Sequence, residues 1–252
     1  MGLLSRVDTH STRLQNHRAL IIGGSGGIGR AVTYSLAAQG ASVVCHAGHD
    51  REKLDRVVGY IRAHGGRARS LFAPIHRADD ILPRLDEAGA VDILVVAMGP
   101  ISYGSLAQTD VETWREMTEL NLLLPGLLLS HYLPRMVSAG WGRVVLFGGP
   151  HSDAIRGFRR IAAYSAAKAG LATLCKSAAM QTNGANVTVN LIAPGYVETE
   201  YLSEPERRDA RRKSPRKALI APERVARLVN HIVLAEEPDM NGAIIALDQG
   251  LG

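Results

Sequence analysis

The sequence predicts an α/β fold, a single doubly wound and mainly parallel sheet of about seven strands. Short apolar runs rich in Val, Ile and Leu recur at residues 19–22, 42–45, 68–72, 92–97, 143–147, 186–192 and 243–247. Their hydrophobicity is continuous rather than alternating, the pattern of strands buried on both faces. Between them lie helical stretches at 29–39, 51–64, 81–87, 111–138, 162–181 and 222–234. Strand and helix therefore take turns, as in βαβ units. No repeat or Pro/Ser-rich linker interrupts the alternation, so residues 18–252 read as one domain behind an N-terminal tail at 1–17.

Each element has a local reason. The run at 19–22 ends in Gly23-Gly24-Ser25-Gly26-Gly27-Ile28-Gly29, after which a helix begins. A glycine-rich turn between a strand and a helix lets backbone N–H groups approach a pyrophosphate at the helix N-terminus. The second run ends in Cys45-His46-Ala47-Gly48-His49-Asp50-Arg51. Asp50 reads as the N-cap of the next helix. No acidic residue remains to grip the adenosine ribose of NAD, while His49 and Arg51 suit a 2′-phosphate, so the cofactor expected is NADP. Residues 196–220, after the sixth run, hold no clear strand and emerge at the carboxyl edge of the sheet, where a lid belongs.

Composition bounds the function. With 46% hydrophobic and 21% charged residues, the chain is ordinary globular material, which excludes a disordered chain or a disulfide scaffold. Cys45 and Cys175 have no metal-ligand spacing and read as core residues of a reducing compartment. No metal site is expected, and the location expected is cytoplasmic. The longest apolar run, 122–133, is broken by Pro125, Gly126, Ser130 and His131 and falls short of the roughly 20 residues a bilayer needs. A membrane partner is not expected. The net charge of +5 is concentrated, with Arg207, Arg208, Arg211, Arg212, Lys213, Arg216 and Lys217 close together. No recognition fold or stacking platform accompanies that charge, so a nucleic-acid partner is not expected either.

Tyr164-Ser165-Ala166-Ala167-Lys168 places a phenol and an ammonium four residues apart, on one helical face. A free phenol, with pKa near 10, is a poor proton carrier at neutrality. A neighbouring ammonium stabilises the phenolate and brings that pKa toward the working range. Such a tyrosine can hand a proton to a carbonyl oxygen as hydride reaches the carbon.

Taken in order, Gly23-x-x-x-Gly27-Ile28-Gly29, Asn121, Tyr164-x-x-x-Lys168 and Asn190-x-x-x-Pro194-Gly195 resemble the short-chain dehydrogenase/reductase family, in particular its 3-oxoacyl reductase-like members. The resemblance runs from about His17 to the C-terminus and implies a Rossmann-type sheet. It implies that Tyr164 is general acid for reduction and general base for oxidation. Lys168 would hold the nicotinamide ribose, and Asn121 would anchor a water connecting Lys168 to solvent. The cofactor-binding set would be Gly23, Ser25, Gly27, Ile28, Gly29, Gly99, Tyr164, Lys168, Pro194, Gly195, Val197 and Thr199.

The departures from the family pattern are informative. Ile22 stands where the family has Thr, and Val96-Ala97-Met98-Gly99 where it has Asn-Asn-Ala-Gly. The two losses are complementary: an apolar contact between Ile22 and Val96 replaces hydrogen bonds without orphaning either partner. Ala73-Pro74-Ile75-His76 lacks the Asp that would meet the adenine amino group. Gly148 and Gly149 occupy the place of the catalytic serine. Ser152, 12 residues before Tyr164, is the first candidate to replace it; His151 is the second, and no replacement is the third.

The function expected is therefore an NAD(P)-dependent oxidoreductase, NADP-preferring, that interconverts a carbonyl and an alcohol by hydride transfer. The alternative is a catalytically weak cofactor-binding protein acting as a sensor or assembly subunit. Arg156, Arg159, Arg160 and the basic cluster at 207–217 suggest an anionic small-molecule substrate. The helices bearing Asn121 and Tyr164 are apolar nearly all round, which predicts a homodimer or homotetramer.

Overall fold

The computed structural model describes residues 13–251. Seven strands form one sheet: β1 (Arg18–Ile22), β2 (Ser42–Ala47), β3 (Arg67–Phe72), β4 (Ile93–Val96), β5 (Trp141–Phe147), β6 (Asn186–Pro194) and β7 (Ile244–Leu247). Their order is β3-β2-β1-β4-β5-β6-β7, and every neighbouring pair is parallel. The doubly wound fold read from the alternation is the fold observed. Successive strand residues feed opposite faces. Leu20, Ile22, Leu94 and Val144 pack under one helical layer; Ala19, Ile21, Ile93 and Val145 pack under the other. Two buried faces explain why the strand sequences are continuously apolar.

Helices α1 (Gly27–Ala38) and α2 (Arg51–Ala63) follow β1 and β2. Asp50 caps α2 as expected, its carboxylate accepting the Lys53 N–H at 2.8 Å. The expected helix at 81–87 is instead a 3₁₀ segment, Ala78–Arg84, which contains Pro83, followed by the one-turn α3 (Leu85–Ala88). Proline removes an N–H donor that a regular α-helix would use.

The single helix expected over 111–138 is three pieces. These are α4 (Val111–Thr118), one π-helical turn (Glu119–Leu123) and α5 (Leu124–Ala139). Asn121 lies in that π turn. Helix α6 (Ala162–Met180) carries Tyr164 and Lys168. The 196–220 segment contains α7 (Glu204–Lys213), and α8 (Pro222–Val233) leads back to β7. The tail assigned to 1–17 is described from Arg13, and its last residues are anchored. Leu14 is buried, its N–H reaches the Gln39 carbonyl at 3.0 Å, and His17 stacks on Trp141.

The strand order reverses between β1 and β4, and ligand clefts open beyond the carboxyl ends of strands at such a point. There Ile22 and Val96 are register partners, both buried in the same core. The apolar replacement read from the sequence is thus in place. Val96→Asn alone should cost about 1–3 kcal/mol, because it buries an amide against an isoleucine. Ile22→Thr together with Val96→Asn should cost less than the sum of the two single changes, as measured by urea unfolding; strict additivity would contradict the pairing.

Candidate active site

The glycine turn is held by a group the sequence did not flag. The Gly23 N–H donates to His46 Nδ1 at 3.2 Å, and the Gly24 N–H donates to the His46 carbonyl at 2.9 Å. His46 Nε2 lies 2.8 Å from the Ala73 carbonyl, which fixes the proton on Nε2. Burial pushes the His46 pKa down to about 4, so the ring is neutral at pH 7 and can both accept and donate. The Thr33 hydroxyl donates to the Gly24 carbonyl at 3.0 Å. Gly23 adopts φ +76°, and a Cβ there would sit 3.0 Å from the Ala97 carbonyl oxygen. Gly29 has no room for a Cβ either, since it would lie 2.8 Å from the Gly23 carbonyl carbon.

Beyond this turn lies a cleft of about 930 Å³, within the range of small-molecule sites. Gly23, Ser25, Gly27, Ile28, Gly99 and Thr199 line it. Gly29, Pro194, Gly195 and Val197 are not part of that lining. Gly29 packs on Gly23, the Gly195 N–H is tied to the Leu247 carbonyl at 3.0 Å, and Val197 bridges to Ile220. Past the end of β2, His49, His76 and Arg77 line the cleft, and so does Lys53. Arg51, expected there, is turned away, its guanidinium stacked 4.3 Å over the Phe72 ring. Asp50 lines the cleft too, but its carboxylate is engaged as the cap of α2.

Glu200 lies on the glycine turn. Its carboxylate accepts from the Gly27 N–H at 3.2 and 3.3 Å, from Lys53 Nζ at 2.5 Å, and pairs with Arg30 at 3.2 Å. Burial alone would raise its pKa. The Lys53 and Gly27 hydrogen bonds and the Arg30 charge outweigh that and hold it below the ordinary carboxylate value. The residues present therefore fit a dinucleotide phosphate: an N-terminal N–H and two cations already converge on an anion.

Tyr164 and Lys168 stand one turn apart on α6 and face a small cavity, with about 20 Å³ of room for water centres, that Gly149 and Ser152 also line. Lys168 Nζ donates to the Phe147 carbonyl at 2.7 Å. Burial lowers its pKa to about 7. Burial, with a smaller contribution from Tyr103, raises the pKa of Tyr164. Burial thus works against the charged form of both groups.

Asn121 is fully buried. Its Nδ2 donates to the Pro100 carbonyl at 3.0 Å, and its Oδ1 has no partner. Gly99 packs against both groups: a Cβ there would run into Asn121 Oδ1 and lie 3.0 Å from Lys168 Nζ. Asn121 and Lys168 are thus brought together across Gly99.

The serine question resolves geometrically. A Cβ on Gly149 would lie 2.8 Å from Tyr164 Cε1 and 2.9 Å from its hydroxyl oxygen, so the tyrosine ring fills the place a serine side chain would need. The Ser152 hydroxyl accepts the Gly149 N–H at 2.8 Å and donates to the Gly149 carbonyl at 2.9 Å. Its one proton goes to that turn, so in this arrangement Ser152 holds Gly149 in place. His151, at φ +59°, turns its ring toward Arg156 Nη1 at 3.1 Å.

A sequence profile of the short chain dehydrogenase family matches residues 17–210. The chain belongs to this family. It is an NAD(P)-dependent oxidoreductase acting between alcohol and carbonyl. It is 32% identical over 240 residues to the cis-4-hydroxycyclohexanecarboxylate dehydrogenase of Sinomonas cyclohexanicum, covering 92% of this chain and 95% of that one. It is 32% identical over 200 residues to the 3-oxoacyl-[acyl-carrier-protein] reductase of Synechocystis sp., covering 75% and 77%. A solved Agrobacterium tumefaciens protein, assigned as a 2-deoxy-D-gluconate 3-dehydrogenase and holding NADP, superposes with a TM-score of 0.84. That pair is 28% identical and covers 96% and 98% of the two chains.

Sequence reasoning missed His46, Lys53, Arg30 and Glu200. His46 carried one usable signal, a polar residue inside an apolar strand. The others depend on a loop returning to the first turn, which no spacing encodes.

The Lys168 shift has a measurable consequence. The unfolded chain holds this proton up to about pH 10.5, the folded chain only up to about 7. The cost of burying the charge is therefore fully present below pH 7 and fades as pH rises toward 10.5. Lys168→Met should raise Tm at pH 6–7, with the advantage shrinking as pH approaches 10. A Tm gain that does not change with pH would contradict the shift.

Proposed function

We propose that the enzyme is NADP-preferring and oxidises or reduces a small carboxylate-bearing secondary alcohol or ketone, with Tyr164 as general acid and base. The observation that carries the chemistry is the packing of the Tyr164 hydroxyl on Gly149, one helical turn from Lys168, whose Nζ lies against Gly99 of the cleft lining. When bound, the dinucleotide supplies or takes the hydride. In reduction, Tyr164 Oη gives its proton to the carbonyl oxygen; in oxidation, it takes the proton from the hydroxyl. Lys168 and the unpartnered Asn121 Oδ1 flank the space from which that proton is replaced. With the serine position vacant of a side-chain donor, Tyr164 is the sole protein donor in this reading.

NADP preference rests on His49, His76 and Arg77 around the adenine end, on the engagement of Asp50 in its helix cap, and on the NADP held by the Agrobacterium relative. The carboxylate rests on Arg156, which lines the Tyr164 cavity beside His151, and on the hydroxy acid in the name of the Sinomonas enzyme. The lid cluster supports it less than its charge suggests. Arg207, Arg211, Arg212 and Lys213 are paired with Glu198, Glu204 or Asp209. An assembly of two or four copies through the π turn, α5 and α6 would cover Leu123 and Met180, which are 45% and 83% exposed. The free, buried thiols of Cys45 and Cys175 suit a reducing compartment such as the cytoplasm.

Tyr164→Phe should keep NADPH affinity while turnover falls about 10²–10⁴-fold. Turnover within threefold of the parent enzyme would sink the mechanism. On a panel pairing cyclohexanol with 4-hydroxycyclohexanecarboxylate, Arg156→Met should raise KM for the acid and leave the neutral alcohol unchanged. An equal effect on both would remove the carboxylate from the proposal.

A further inference from the structure

The segment after β6 does more than border the cleft, because it reaches across and closes on the phosphate turn. The Tyr201 hydroxyl lies where a Cβ of Gly26 would be, and a Cβ on Gly27 would meet Tyr201 Cε2 at 3.2 Å and Thr199 Cγ2 at 3.3 Å. Between them Glu200 takes the Gly27 N–H, Lys53 and Arg30. Lys53 also lies 5.1 Å over the Tyr201 ring. Helix α1 has no side-chain cap of its own and no acidic residue in its first turn, so the carboxylate that favours its N-terminus comes from this distant segment.

We propose that Glu200 is an internal stand-in for the cofactor's pyrophosphate. It holds residues 199–201 shut over the glycine turn, and it must leave before a dinucleotide can bind. This rests on the dinucleotide reading of the cleft. The charges favour exchange. One carboxylate faces two cations and a helix N-terminus, which a diphosphate neutralises more fully. Lys53 and Arg30, released from Glu200, become ligands for the incoming phosphates. The stem of the segment stays fixed. Tyr196, Val197 and Glu198 are tied to Ile220 through the Ile220 N–H to the Tyr196 carbonyl at 2.8 Å and the Glu198 N–H to the Ile220 carbonyl at 2.9 Å. Arg207 and Arg211 of α7 pair with Glu198 of that stem, so movement is confined to the stretch that carries Glu200 and Tyr201. Cofactor entry is gated by one side chain, so the closed form lowers apparent cofactor affinity by the fraction of time the site is open.

The test is calorimetric titration of NADPH and NADH into the parent enzyme, Glu200→Gln and Glu200→Ala, with inorganic pyrophosphate as a third ligand. Removing the internal anion should tighten both dinucleotides and pyrophosphate by roughly 5- to 10-fold, the factor for a site closed 80–90% of the time. In a Lys53→Met background the gain from Glu200→Gln should shrink, because the exchange then has one cation fewer. Thermal unfolding of each variant without ligand checks that it is folded. Dinucleotide binding by the parent enzyme with equal or weaker binding by both Glu200 variants would overturn the stand-in and leave the cofactor reading intact. Binding of neither dinucleotide by any folded variant would overturn both.

Discussion

The site depends on one constraint: at the end of β1 the chain must turn back on itself with almost no room for side chains. The turn has to clear the Ala97 carbonyl on one side and pack Gly29 against Gly23 on the other. Only then does the Gly27 N–H at the start of α1 point into the cleft. Because the strand order reverses beside β1, that N–H lies at the cleft's edge, where the Glu200 carboxylate takes it. An anion site at the start of α1 follows from the sheet's topology and the helix's exposed donors together.

Two substitutions that look like losses leave this turn intact because the load is redistributed. Ile22 and Val96 bury each other where a hydroxyl and an amide would have met. His46 then supplies the polar tie, accepting the Gly23 N–H while its other nitrogen holds the Ala73 carbonyl at the end of β3. Burial keeps that ring neutral, which is the state the two bonds require. The same physics works less comfortably around Tyr164 and Lys168. There burial pushes the phenol up and the ammonium down, so it opposes charge on both.

Much of this was legible in the sequence. The sheet followed from continuous apolar runs, because two-sided burial leaves no polar alternation. The cap at Asp50 and the turn at 23–29 were local signals and appear where local chemistry places them. The pairing of Ile22 with Val96 was readable because both departures sit at strand ends whose register the fold fixes. What was not legible involved contacts between segments far apart in the chain. The π turn around Asn121 adds one residue to a turn without breaking the helical run, and no residue type between Val111 and Ser138 marks it. Ser152 has the right distance from Tyr164 in sequence, but its hydroxyl satisfies the Gly149 backbone first. Arg51 had the right position for a phosphate and is instead stacked on Phe72, a partner on the neighbouring strand. Glu200 meets Gly27 across 173 residues, and neither residue carries a local sign of the other.

The central claim is that the cleft beyond β1 and β4 is a working dinucleotide site despite these departures. Thermal unfolding with NADPH, with NADH and without ligand, at matched concentrations, tests it most directly. Ligand at about 100 times its dissociation constant adds about 2.7 kcal/mol, a rise of roughly 5–10 °C for a chain of this size. The account predicts a rise with both dinucleotides and a larger one with NADPH. No rise with either, at concentrations up to millimolar, would contradict it.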